Sequence, residues 1–225
     1  MPEAGFVGVD GCRAGWIAVT IDARGRREFA VLARFQAIAA LNAVRAMIDM
    51  PIGLPDTGYR ACDRAARLLL GAARSRVFLG ARRPLLGYRH DYRAAHAWAK
   101  ADGKGLSRQC FNILNKIAEV DALMTPVRQA AIREAHPELV FQRLSGGTAL
   151  PPKKSPEGRR RRRDLVAAHG FDAIDRWLAA LGGSGARPDD LLDACALALA
   201  AAAPHGTVPC RAETDARGLK MEIWY

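Results

Sequence analysis

The sequence lacks the features that mark several large classes of protein. No run of eighteen apolar residues occurs in its 225 residues, so we expect no membrane-spanning helix. The five cysteines are scattered without a C-x-x-C pair, which argues against a disulfide framework and against structural zinc. The segment MPEAGFVGVDG has no basic region followed by an apolar core, so we expect a cytoplasmic protein. The glycine spacings of nucleotide-phosphate loops are missing too.

Acidic residues are outnumbered by basic ones. There are 34 lysines and arginines against 23 aspartates and glutamates, which gives a formal net charge of +11 and a pI near 10.0. An excess of this size favours a polyanionic partner such as nucleic acid. A second explanation stays open, because arginine far outnumbers lysine and alanine is abundant, a bias typical of GC-rich genomes.

Short apolar runs separated by turn residues predict strands in the first part of the chain. Residues 6–9, 16–21 and 28–33 form an antiparallel meander, and 46–48 form a fourth strand after a helical stretch at about 37–44. A further β-like segment occurs at 131–135. Three strands joined by hairpins, followed by single strands that alternate with helices, predict a mixed sheet flanked by helices.

The rest of the chain completes an α/β fold. Helical patterns dominate the middle, and the last strong one covers about 190–202. We therefore predict a single α/β domain over residues 1–225, with an antiparallel meander followed by parallel strands. We expect a mostly helical insertion at about 56–128 and a C-terminal hairpin at about 212–225.

Two carboxylates stand where predicted strands end. Asp10 follows the first apolar run and precedes Gly11, and Asp49 follows the fourth run and precedes a loop rich in proline and glycine. Two strands that each end in an aspartate could place both carboxylates at the same edge of one sheet. Asp10 alone is better explained as a turn residue that bonds its own backbone.

A third acidic element opens the last helix. Asp190 and Asp193 are three residues apart, so both project from one helix face. Capping of the helix N-terminus accounts for Asp190 without any functional role. Asp193 is harder to explain in this way, because it lies deeper in the helix among apolar residues. Four converging carboxylates need cations, and ligands that are all oxygen favour Mg²⁺ or Mn²⁺ over zinc. Two such ions about 4 Å apart suit the hydrolysis of a phosphodiester.

Glu134, His136 and Glu138 form a further titratable group near the end of the fifth predicted strand. A spacing of two places Glu134 and His136 on one strand face. We assign Glu134 and Glu138 as candidate catalytic residues, as a general base or as support for the metal ligands. A cluster at a strand end, closed by Pro137, remains the alternative.

A set of motifs spread along the chain resembles a known family. The chain is similar to the domain-of-unknown-function 429 family, predicted nucleases with an RNase H-like fold, over about residues 5 to 225. The motifs, in chain order, are VGVDGCRAGW at 7–16, IDMPIGLP at 48–55, RACD at 60–63, SRVF at 75–78, KIAEVD at 116–121, EAHPE at 134–138 and DDLLDA at 189–194.

The resemblance implies a metal site. In such folds Asp10 would be the carboxylate of the first strand, Asp49 that of the fourth strand, and Asp190 with Asp193 the pair on the final helix. The segment 190–194 more distantly resembles the final acidic helix of Holliday-junction resolvases. Asp49 departs from that pattern, because resolvases usually have glutamate there, which reaches one methylene further.

The densest basic block is expected to contact phosphate. It comprises Lys153, Lys154, Arg159, Arg160, Arg161, Arg162 and Arg163, and Arg74, Arg76, Arg82 and Arg83 extend it from an irregular loop. Such contacts make binding depend on salt. A solvated helix face is the alternative, although five consecutive arginines must point all round a helix.

These patterns favour a nuclease that uses Mg²⁺ or Mn²⁺ and hydrolyses DNA or RNA by a two-metal mechanism. The first alternative is a non-catalytic nucleic-acid-binding or scaffold protein on the same fold. The second is an actin-like phosphotransferase, which is disfavoured because the chain has no duplicated domain and no phosphate loop.

Overall fold

The chain forms an α/β structure in a computed structural model that describes residues 5–103 and 105–225. The strands are β1 (Phe6–Cys12), β2 (Gly15–Ile21), β3 (Arg27–Leu32), β4 (Arg45–Ile48), β5 (Ile132–Glu134), β6 (Thr207–Thr214) and β7 (Lys220–Trp224). The α-helices are α1 (Phe35–Ala39), α2 (Ala61–Leu70), α3 (Tyr92–Ala101), α4 (Arg108–Leu123), α5 (Pro126–Gln129), α6 (Pro137–Leu144), α7 (Pro156–Ala168), α8 (Ile174–Ala180) and α9 (Pro188–Ala202). Two 3₁₀ helices, Gly71–Arg76 and Arg83–Tyr88, lie in the segment predicted to be an irregular loop.

The main sheet has five strands in the order β3-β2-β1-β4-β5. The first three strands are antiparallel neighbours, whereas β4 runs parallel to β1 and β5 runs parallel to β4. Strands β6 and β7 form a separate two-stranded sheet near the C-terminus. The predicted α/β class, with a mixed sheet that begins as an antiparallel meander, is confirmed.

The described chain divides into two compact units. The first unit comprises residues 5–49, 131–206 and 224–225 and contains the five-stranded sheet. The second comprises 50–130, apart from residue 104, and 207–223. Its first segment spans the range in which the sequence predicts a helical insertion. No helix among the residues described has the length and apolar character needed to cross a membrane.

Helix α9 lies against one face of the sheet in the first unit. Most of its residues are buried, and they share a core with Ile17, Val19 and Met47 of the sheet. Gly8 makes this packing close: a Cβ atom at this position would lie 2.1 Å from the carbonyl oxygen of Ala194 and 2.1 Å from the amide nitrogen of Ala198. The absence of a side chain at Gly8 therefore sets the distance between α9 and the sheet.

Buried and partly buried ion pairs connect residues of the second unit. Arg60 donates to Asp63 at 2.6 Å, and Arg82 donates to Asp102 at 2.8 Å. Arg83 is paired with Asp121 and Asp215. The interpretation of Arg82 as part of a phosphate-binding patch is therefore wrong, because its side chain is 1% exposed and binds Asp102. Arg83 is partly exposed and also binds carboxylates of this unit, so its contact with phosphate stays a prediction.

Candidate functional site

Asp10 lies on the sheet face that α9 covers. Side chains alternate along a strand, so Asp10 shares the face of Gly8, against which α9 packs. The Asp10 side chain is buried, and its Oδ1 accepts a hydrogen bond from the Gly11 amide at 2.7 Å. The turn interpretation thus accounts for one oxygen of this carboxylate.

Asp49 lies beside Asp10. Val9 pairs with Ile48 in the parallel register, so the next residues of the two strands, Asp10 and Asp49, are neighbours on the same face. The Asp49 amide donates to the Val9 carbonyl at 3.1 Å, which continues the ladder past the end of β4. The sequence prediction that both strands end at one edge of the sheet agrees with this register.

Asp193 of α9 completes a group of three carboxylates, called the acidic cluster below (Asp10, Asp49 and Asp193). Asp193 is only 2% exposed. Its Oδ2 accepts a hydrogen bond from Lys153 Nζ at 2.7 Å, whereas Oδ1 is buried with no hydrogen-bond partner among the residues described. A buried carboxylate oxygen without a partner is costly, which makes it informative about the site.

The electrostatics of the acidic cluster reflect burial and mutual repulsion. Burial raises the pKa of Asp10 well above its usual value, and the charges of Asp49 and Asp193 raise it further. Burial also raises the pKa of Asp49. The pKa of Asp193 rises to about 7 through burial, although Lys153 opposes the shift. The three carboxylates are close enough to interact electrostatically, and the protein alone stabilises their ionised forms poorly.

Lys153 lies within the acidic cluster, a position that the sequence does not predict. Burial lowers the pKa of its ammonium group, but Asp193, Asp10 and Asp49 outweigh that effect and raise it. Its Nζ is also 4.0 Å from Asp189 Oδ2. No local signal in the sequence distinguishes Lys153 from Lys154, which is exposed.

Asp190 lies at the margin of the acidic cluster. Its Oδ2 accepts a hydrogen bond from the Arg187 amide at 2.8 Å and closes a capping box at the start of α9. Its charge contributes to the raised pKa of Asp10, and burial raises its own pKa. The capping explanation that the sequence left open therefore holds for one oxygen of Asp190.

Glu134 and Glu138 differ in their position relative to the acidic cluster. Glu134 pairs in register with Ile48, so it lies on the sheet face opposite to Asp49. Both oxygens of Glu138 accept hydrogen bonds from Arg162 Nη2, at 2.8 and 2.7 Å. His136 caps α6, because its Nδ1 accepts from the Glu138 amide at 3.2 Å. Glu134 is thus on the wrong face for the acidic cluster. Glu138 belongs to a buried ion pair, and its charge also raises the pKa of Asp49 and of Asp193, so its supporting role stays a prediction.

The five consecutive arginines, called the arginine run below (residues 159–163), point in different directions on α7. Arg162 is 1% exposed and also donates to the carbonyls of Pro151 and Gly158. Its predicted contact with phosphate is therefore wrong. Arg163 pairs with Asp164 and Asp175. The remaining members of the run, Arg159, Arg160 and Arg161, are exposed, as is Lys154.

Arg76 belongs to the second unit, where it is half-buried at the end of the 3₁₀ helix Gly71–Arg76. The acidic cluster, Lys153 and the arginine run all belong to the first unit. The candidate site is accordingly described from the first unit alone.

The carboxylates do not form a ready-made cage for a metal. Within residues 5–103 and 105–225, no three His, Cys, Asp or Glu side chains are grouped so that they could hold one ion. Mg²⁺ is usually held by one or two carboxylates together with water and substrate phosphates, so a cage of three protein ligands is not required. The all-oxygen donor set and the unpartnered Oδ1 of Asp193 fit this looser kind of binding.

Comparison with known proteins gives one match. The model of a family described as "Protein of unknown function (DUF429)" matches residues 8–216. Searches of curated proteins and of solved structures find no match. The matched range includes all three carboxylates of the acidic cluster, Lys153 and the arginine run.

Proposed function

We propose that this chain, which belongs to the DUF429 family of proteins of unknown function, is a divalent-metal-dependent nuclease that hydrolyses phosphodiester bonds. One observation carries the proposal. Asp193 is buried near the carboxylates of Asp10, which is also buried, and Asp49, which is partly buried, and one Asp193 oxygen has no partner among the described residues. This arrangement is costly for the protein alone and becomes favourable once a cation binds.

The ligands of that cation are oxygen atoms of the acidic cluster. Carboxylate oxygens are hard ligands, so Mg²⁺ or Mn²⁺ is the expected cofactor. A divalent ion bound there supplies positive charge where negative charge develops on the phosphate during hydrolysis. Asp10 and Asp49 are positioned by neighbouring strands of the sheet, and Asp193 is positioned by α9, which packs closely against that sheet.

The exposed part of the arginine run supports nucleic acid as the substrate. Arg159, Arg160 and Arg161 follow Lys153 closely in sequence and carry three positive charges on the surface of the same unit. Guanidinium groups suit phosphate oxygens because they donate hydrogen bonds in a planar fork. The strand order and directions support the RNase H-like fold that the resemblance implies. A cytoplasmic location belongs to the same proposal.

The decisive experiment replaces Asp10 with asparagine. Asp10→Asn keeps the shape of the side chain but removes the charge that a metal ligand must carry. We expect cleavage to fall by about a hundredfold or more, which equals about 2.7 kcal/mol of transition-state stabilisation. Folding should be preserved, because an uncharged side chain relieves the repulsion that raises the pKa of Asp10. Nucleic-acid binding should be retained or tighten.

The assay measures Mg²⁺- and Mn²⁺-dependent cleavage of single-stranded, duplex, hybrid and branched substrates. Asp172→Asn is the matched control, because Asp172 is exposed in the same unit. The Asp172→Asn variant should cleave like wild type. Full activity in Asp10→Asn would contradict the proposed site. A wild type that binds these substrates but cleaves none of them would favour the non-catalytic binding protein.

The arginine run gives an independent prediction about binding. Changing Arg159, Arg160 and Arg161 together to alanine should weaken binding equally across sequences, because phosphate contacts carry no sequence information. If all three contact phosphate, the slope of log K against log salt should flatten by about 3. Fluorescence anisotropy at several salt concentrations measures both quantities.

The control for this variant removes the same charge elsewhere. Arg24, Arg34 and Arg211 are exposed and lie outside α7. Their combined change to alanine should leave the salt slope close to that of wild type. An equal loss in both triple variants would mean that binding follows net charge and not the arginine run.

A further inference from the structure

Lys153 is held beside the acidic cluster by contacts on its own segment of the chain. The segment that carries it is fixed on both sides: the Pro151 carbonyl accepts from buried Arg162 at 2.9 Å, and the Pro152 carbonyl accepts from the Ser155 amide at 2.9 Å. Ser155 caps α7, with its Oγ accepting from the Gly158 amide at 3.0 Å. These anchors position the Lys153 side chain to reach Asp193.

The two carboxylate oxygens of Asp193 differ in their partners. Asp193 Oδ2 already binds Lys153 Nζ at 2.7 Å, so one of its oxygens is bound to a cation. Its Oδ1 has no partner among the residues described. One carboxylate therefore presents one satisfied and one unsatisfied oxygen, which corresponds to one resident cation and one that has still to bind.

We infer that the Lys153 ammonium group takes one of the two cation positions of the acidic cluster, so that the site binds a single divalent ion. The inference rests on the proposed function and revises the two-metal mechanism that the sequence suggests. Lys153 is then a fixed substitute for the second metal, and it supplies positive charge at the site whether or not the ion is bound.

The test counts bound Mn²⁺ by electron paramagnetic resonance and by calorimetry, without any assay of cleavage. We expect wild type to bind one Mn²⁺ per chain at the acidic cluster, and Asp10→Asn/Asp193→Asn provides the background to subtract. Lys153→Met removes the charge while keeping the length, and it should bind a second ion or bind the first at least tenfold more tightly. Lys153→Arg should still bind one. Lys154→Met is the matched control and should behave like wild type, because Lys154 is exposed.

The outcomes separate the inference from the proposed function. Two Mn²⁺ ions in wild type would overturn the inference and leave the metal-dependent nuclease intact. Unchanged stoichiometry and affinity in Lys153→Met would also overturn it. No binding by wild type or by any variant would remove the metal site itself, and both proposals with it. The wild-type count does not use Lys153→Met, so the inference stays testable even if that variant does not fold.

Discussion

Replacing Gly8 with alanine is expected to lower the free energy of unfolding by more than about 5 kcal/mol. The added methyl group would lie 2.1 Å from backbone atoms of Ala194 and Ala198, which a side-chain rotation cannot relieve. Helix α9 would have to move away from the sheet and leave voids in the core. A loss of this size is comparable to the whole stability of many domains.

Urea denaturation followed by circular dichroism measures the effect. Gly182→Ala is the matched control: Gly182 belongs to the same unit, and a Cβ there meets nothing within 4 Å. It should change stability by no more than about 0.5 kcal/mol. Equal transition midpoints for the two variants would contradict the close packing of α9. Any folded Gly8→Ala protein should also lose activity, because α9 carries Asp193 towards Asp10.

Replacing Arg162 with methionine is expected to cost about 3–5 kcal/mol, because Glu138 would be left as a buried charge without its partner. The double variant Arg162→Met/Glu138→Leu should recover most of this loss, since apolar side chains of similar volume often replace a buried ion pair without cost. Arg160→Met is the control, as Arg160 is exposed two residues away.

The same measurement distinguishes a structural from a phosphate-binding role for Arg162. Thermal or urea unfolding should show a large loss for Arg162→Met and almost none for Arg160→Met. Identical unfolding of the two single variants would mean that the pair with Glu138 contributes nothing to stability. Failure of the double variant to recover would point instead to the bonds that Arg162 makes to Pro151 and Gly158.

Local patterns in the sequence are sufficient to predict the elements that carry Asp10, Asp49 and Asp193. Each carboxylate follows or interrupts an apolar segment with the period of its own element, so its position can be inferred from neighbouring residues. The start of α9 is also predictable, because Pro188 and the two following aspartates are typical of a helix N-terminus.

Features that depend on distant residues could not be predicted in this way. The face on which Glu134 lies is set by its register with β4, about 85 residues earlier in the chain. The pairing of Arg162 with Glu138 and of Lys153 with Asp193 joins segments that no short-range pattern relates. Helix α6 is not predicted from the sequence, because Pro137 there suggests the close of a strand-end cluster, whereas His136 caps the helix and Pro137 is its first residue.

The packing of α9 on the sheet has a consequence for how the protein is made. Strands β1 to β5 are all synthesised by residue 134, but α9 ends only at Ala202. At 5–20 residues per second, roughly 10–40 s pass between the synthesis of β1 and that of α9. Until α9 is synthesised, the sheet face around Gly8 and Met47 lacks the helix that packs against it in the folded protein. Asp193 lies in the same helix, so the acidic cluster cannot assemble until α9 has been synthesised.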